Sequence, residues 1–101
     1  MPETTPPTAL EMRQAEVAEY QNNIDIYTTI LATLPSALPE HLEPYRNRTD
    51  KHVAIGEIEN LDDVVLLSDV WHHMEVKTRI RTEMLEQRKS QAILTYLEAN
   101  Q

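Results

Sequence analysis

The side chains best placed for chemistry in this sequence are those of Asp69-Val70-Trp71-His72-His73-Met74-Glu75. On a helix, Asp69 and His72 stand three residues apart, as do His72 and Glu75, so carboxylate and imidazole share a face and could converge on a metal ion. Helical bundles that hold a pair of metal ions use a carboxylate and a histidine at this spacing, but they need two such motifs and two further glutamates from other helices. One imperfect copy is present here. His72, His73 and Glu75 are metal candidates only if a second copy of the chain, with Glu57 or Glu59 nearby, completes the set. Otherwise His72 is an exposed polar residue and His73 sits at the edge of an apolar arc. No cofactor is expected.

Other reactive constellations are missing. Without cysteine there is no thiolate nucleophile, thiolate zinc site or disulfide framework. No serine is flanked by glycines, and no second motif orients a histidine for nucleophilic catalysis. His41 and His52 fall in a connector, where loop histidines are ordinarily solvated. Gly56 is the only glycine, whereas phosphate-cradling loops need several. Neither an enzyme nor a small-molecule substrate is expected.

Lys77, Arg79, Arg81, Arg88 and Lys89 could form a phosphate-binding strip, but Glu83 and Glu86 interleave with them. Glu75 with Arg79, and Glu83 with Gln87, read as ordinary pairs at four-residue spacing on a solvated face. With 17 acidic against 9 basic side chains and a formal charge of -8, the chain opposes a polyanion. Nucleic acid is not an expected partner; a basic protein is compatible with the charge. Trp71 could be an exposed aromatic anchor, yet its place in an apolar arc makes it a core residue.

The elements that must position these groups are helical. A proline-rich lead over 1–7 is expected to be disordered. Thr8-Ala9-Leu10-Glu11 is a capping box, in which hydroxyl and carboxylate each satisfy a first-turn backbone N–H, so a long helix is expected over 8–34. Leu10, Val17, Ile24 and Leu31 recur every seven residues, interleaved with Tyr20, Tyr27 and Leu34, with Arg13 as the one polar interruption. Pro35 ends that helix. The connector over 35–60 carries Pro35, Pro39 and Pro44, a turn around Glu40 to Glu43, and Leu38, Leu42 and Tyr45 to cap one end of a core. Asp50 is a plausible N-cap for a short helix with Val53, Ala54, Ile55 and Ile58, although Val53 and Ile55 also alternate as in a strand. Asn60 followed by Asp62 and Asp63 reads as a further helix start. No Pro or Gly follows through 61–99, so one continuous helix is expected, with Glu86 to Gln91 the place where it could bend.

Charge sets the expected direction of pairing. Glu11, Glu16 and Glu19 crowd the first half of the first helix, while Lys77, Arg79, Arg81, Arg88 and Lys89 fall in the second half of the last. An antiparallel arrangement sets acidic against basic and apolar against apolar, so the expected fold is all-α, an antiparallel hairpin of two long helices with a partly helical, proline-containing connector. Setting Leu34 level with Val64 brings Val17 near Arg81 and Leu10 near Arg88. In that register both arginines lie in the apolar arc, either paired with Glu16, Glu19 and Glu11 or reaching water along their stems. Residues 92–97 would then overhang the first helix, although Ala92, Ile93, Leu94, Tyr96 and Leu97 point nearly all round. Val76, Ile80, Trp71, Met12, Ile26 and Ile30 add apolar surface beyond one partner helix, and two hairpins forming a four-helix bundle would bury them.

Taken together, these features predict a non-enzymatic helical protein-interaction or structural subunit that associates with itself as a dimer, or with another protein, through Ile93, Leu94, Tyr96 and Leu97. Two alternatives stand beside it: an acidic antagonist of a basic protein, and a helical metal-binding protein. No stretch has the ~20 apolar residues of a membrane span. The N-terminal residues lack the basic, apolar pattern of a signal peptide, so a cytoplasmic location is expected.

Overall fold

A computed structural model describes residue 6 and residues 8–100. Apart from the exposed Pro6, the lead expected over 1–7 lies outside the described residues. Helix α1 spans Ala9–Thr33, a 3-10 turn covers Glu40–Tyr45, α2 spans Lys51–Gly56 and α3 spans Leu61–Ala99. Among the described residues there is no strand, so the connector segment around Val53 and Ile55 is helical.

Local chemistry explains the boundaries. The backbone N–H of Glu11 donates to Thr8 Oγ1 at 3.2 Å, the expected hydroxyl half of the capping box. The Glu11 carboxylate instead accepts from that same hydroxyl at 3.3 Å. At the start of α3, Asn60 Oδ1 accepts from the backbone N–H of Asp62 at 2.8 Å, with Asp62 and Asp63 in the first turn. Asp50 stands at the N-cap of α2, as expected, but without the capping hydrogen bond. Its side chain makes no cap bond to α2, because both carboxylate oxygens are held by Arg48 at 2.6 and 2.7 Å. Helix α3 runs unbroken through Glu86 to Gln91.

The chain divides into two compact units, one of Thr28–Thr78 and one of Met1–Tyr27 with Arg79–Gln101. In the first, the connector packs on the opening turns of α3. Ala54, Leu67 and Trp71 are buried together, with Leu38, Tyr45, Ile55, Ile58 and Met74 packed around them. Trp71 is therefore a core residue, and its Nε1–H donates to the carbonyls of Tyr45 and Arg46, both at 3.2 Å. Arg48 bridges Asp50 before α2 and Glu57 after it, the latter at 3.1 Å, so one guanidinium holds both ends of a six-residue helix. Arg46 likewise pairs with Glu43 at 2.7 Å and donates to the Ser36 carbonyl at 3.1 Å.

In the second unit, α1 and α3 run antiparallel. Leu10, Val17, Tyr20, Ile24 and Tyr27 of the seven-residue pattern are all half-buried, and Arg13 with them. Cross-links fix the register: Arg79 donates to the Tyr27 hydroxyl at 3.3 Å, and Asn23 to Glu83 at 3.5 Å. Gln87 donates to the Val17 carbonyl at 3.3 Å and to Gln21 at 2.9 Å, and Arg13 donates to Ser90 at 3.5 Å. Val17 thus faces Gln87 rather than Arg81. In the unit of Thr28–Thr78, Leu34 likewise meets His73, at 3.2 Å, rather than Val64. The partners lie about two turns further along α3 than a level alignment of helix ends implies.

The cause of this shift is the connector. Its apolar residues need a surface, and the first turns of α3 supply it, so α1 cannot run alongside those turns. The overhang moves with the register. From Arg13 and Ser90, one turn back along α1 and one turn on along α3 sets Leu94 opposite the start of α1, and Leu94 is 7% exposed. The apolar tip expected at 92–97 is therefore covered over part of its circumference. Bare apolar groups appear instead at the opposite end of α3, where Leu61 is 77% exposed and Val65 59%. Val76 and Trp71, expected to need a second hairpin, are buried within the chain.

Candidate interaction surface

Of the four residues expected to form a contact surface, Leu94 is buried, Ile93 and Leu97 are half-buried, and Tyr96 alone is open, at 66% exposed. They do not form one patch. Two faces of α3 account for this. His73, Val76, Ile80, Glu83, Gln87, Ser90, Leu94 and Leu97 recur at alternating three- and four-residue spacing and are buried or half-buried. Apart from Arg79 with Tyr27, this stripe carries the hydrogen bonds between α3 and the α1 segment named above.

A second stripe at the same kind of spacing runs along another side of α3. Its early members Leu67, Trp71 and Met74 are covered by the connector. Its later members Arg81, Leu85, Arg88, Ala92 and Tyr96 are exposed. Arg81 and Arg88 therefore do not lie against Glu16 or Glu19. Glu16 is held within α1 by Arg13 at 3.0 Å, and both arginines stand on the outer face, reaching water. Lys89 and Met84 flank the stripe, and Met84, Gln87, Arg88, Gln91 and Ala92 line an open groove of about 570 Å³. The outer face so formed is cationic and apolar and contains no carboxylate, in a chain of net charge -8. The spacing of Arg81, Leu85, Arg88 and Tyr96 continues that of Trp71 and Met74, and this was the signal available for it in the sequence.

The unit of Met1–Tyr27 and Arg79–Gln101 has little interior. Among the described residues its only buried hydrophobic side chain is Leu94, whereas Met12, Ile26, Met84, Leu85 and Tyr96 are each about half or more exposed. On α1, the Tyr20 hydroxyl titrates above its ordinary value, first because of burial and then because of the Glu16, Glu86 and Glu83 carboxylates around it. That edge is acidic.

The histidine cluster does not assemble. His72 and Glu75 are exposed, while His73 Nδ1 is turned to the Leu34 carbonyl. Among the described residues, no three His, Cys, Asp or Glu side chains come together as a metal site. Beside Trp71, a shallow recess of about 260 Å³ is lined by Arg46, Arg48, Lys51 and Glu75 among others. Its cations are already engaged: Arg46 by Glu43, Arg48 by Asp50 and Glu57, and Lys51 lies over the Trp71 ring at 5.4 Å. Among the described residues, no helix is long and apolar enough to cross a membrane. Comparison with protein-family models, with curated proteins and with solved structures finds no match to this chain.

Proposed function

We propose that this chain is a non-enzymatic helical interaction subunit, acting in the cytoplasm, that docks a helix of a partner along the outer face of α3. The supporting observation is the exposed stripe Arg81, Leu85, Arg88, Ala92 and Tyr96. A helix that carries apolar groups and arginines at seam spacing suits a helical partner whose own face mixes apolar groups with carboxylates. Tyr96 and the two arginines belong to the residue types that dominate binding energy at protein contacts. Tyr96 is retained from the surface expected at 93–97, and the other contacts lie N-terminal to it.

The test is recovery of partners from the native host by the full chain, with and without Arg81→Glu and Arg88→Glu together. Both side chains are exposed, so helix content by circular dichroism is expected to stay constant. Partner recovery is expected to drop. Identical recovery by both forms would remove the α3 face from the proposal.

A further inference from the structure

The outer face of α3 has a counterpart on the same molecule. In the unit that joins Met1–Tyr27 to Arg79–Gln101, α1 turns Leu10, Val17, Ile24 and Tyr27 toward α3, and away from it Met12, Ala15, Glu19, Asn22 and Ile26. These five also alternate at three- and four-residue spacing, and all are exposed, Met12 at 59% and Ile26 at 49%. Glu19 stands in the middle of the stripe, and Glu11 flanks it. The only cation on this part of α1, Arg13, is turned to Glu16 and Ser90. One side of the unit is therefore acidic and apolar, the other basic and apolar, and each has the periodicity of a helix-pairing seam.

We infer that a second copy of this chain is the occupant of the α3 face: the Met12, Glu19, Ile26 side of α1 in one copy seats on the Arg81, Leu85, Arg88, Tyr96 side of α3 in the next. The inference rests on the proposed docking role of α3 and names its partner. Three observations converge on it. The two faces are opposite in charge. Both are seam-spaced, with Ala15 and Ala92 providing the small positions that let helices approach. The unit that bears them buries one hydrophobic side chain of its own among the described residues, so it gains most from a neighbour. Pairing α3 with α3 would instead set Arg81 and Arg88 against like charge. Because the two faces point away from one another, the contact is not reciprocal. Each added copy leaves one α1 face and one α3 face free, so association proceeds head to tail.

Sedimentation velocity of the full chain over a wide concentration range tests this. The average mass is expected to rise with concentration past that of a dimer, and the rise is expected to be reduced by added salt. Arg81→Glu with Arg88→Glu, and separately Glu19→Lys, are each expected to weaken association at least about tenfold. Mixing the two variants restores opposite charge across the junction and is expected to recover it. Arg81→Gln with Arg88→Gln serves in place of the reversal should that variant lose helix content. A chain that stays monomeric throughout, one that stops at a dimer, or a mixture that fails to reassociate overturns the inference. Such outcomes leave the α3 docking role intact, since that role falls only with unchanged partner recovery from the native host.

Discussion

His73 donates its Nδ1–H to the carbonyl of Leu34 at 3.2 Å, so a side chain of α3 caps the C-terminal end of α1. At this end the Ile30 carbonyl accepts from the Thr33 hydroxyl at 2.7 Å and the Leu31 carbonyl from the Leu34 N–H at 3.1 Å, while the carbonyl of Leu34, the residue after α1, is met by His73 and the last turn has no basic residue. The bond also sets register, since it pins the end of α1 about a third of the way along α3. Replacing His73 by Ala is expected to cost about 1–2 kcal/mol, with loss concentrated locally. Hydrogen exchange is the direct measurement: amides near the end of α1 should exchange faster, while those around Ala54 and Leu67 keep their protection. Uniform acceleration through both regions would contradict a capping role.

Trp71 combines burial with two carbonyl acceptors, Tyr45 and Arg46. Trp71→Phe keeps most of the apolar volume but removes the donor, leaving both carbonyls without it. The expected cost is about 1–3 kcal/mol, rising to about 3–5 kcal/mol for Trp71→Ala, where a cavity is added. Urea unfolding followed by circular dichroism checks the order. Equal stability of the Phe variant and wild type would mean that the indole N–H contributes nothing.

The connector should weaken in acid. Hydrogen bonding to Arg48 lowers the Asp50 carboxyl below its ordinary value, and bonding to Arg46 does the same for Glu43. When folded values are depressed, protons bind the unfolded chain first as pH falls. The stabilisation is therefore complete above the ordinary carboxylate range, about pH 4, and is lost as pH drops through the folded values. Arg48→Gln removes the cause at Asp50. The thermal midpoint of that variant is expected to fall less steeply than wild type between about pH 5 and about pH 3. Parallel curves for the two proteins would argue against the pairing.

Much of this architecture was legible in the sequence because its signals are local. Thr8, Pro35 and Asn60 bound the long helices through cap or ring chemistry that involves only their neighbours, and the seven-residue pattern from Leu10 to Leu34 marks a half-buried seam. Register was not legible. The α3 side of the pairing passes through Glu83, Gln87 and Ser90, which a search for apolar periodicity skips, although hydrogen bonds to Asn23, Gln21 and Arg13 make it a seam. The apolar spacing through Trp71 and Met74 has the periodicity of a helix-pairing stripe and outweighs it as a sequence signal. A pairing of α1 with that stripe would set Arg81 and Arg88 against buried carboxylates and leave residues 92–97 without a cover. The connector is the true partner of Trp71 and Met74, and no spacing rule links Leu38 or Tyr45 to Leu67.

Leu94 tests how the two units depend on each other. It is the one buried hydrophobic side chain among the described residues of the unit that joins Met1–Tyr27 to Arg79–Gln101, whereas Leu42, Ala54, Leu67, Val70, Trp71 and Val76 belong to the other. Leu94→Ala should cost about 2–5 kcal/mol where the side chain is fully used, since its removal takes away both transfer energy and packing. A unit with so small an interior has little reserve, so the loss should appear as local opening rather than global unfolding. Amides along the first half of α1 and the last half of α3 are expected to exchange markedly faster. Fluorescence of Trp71, the sole tryptophan, reports on the other unit and should keep its wild-type unfolding midpoint. Were that midpoint to fall together with protection in α1, the two units would be unfolding as one, and the single buried leucine would be supporting the whole chain.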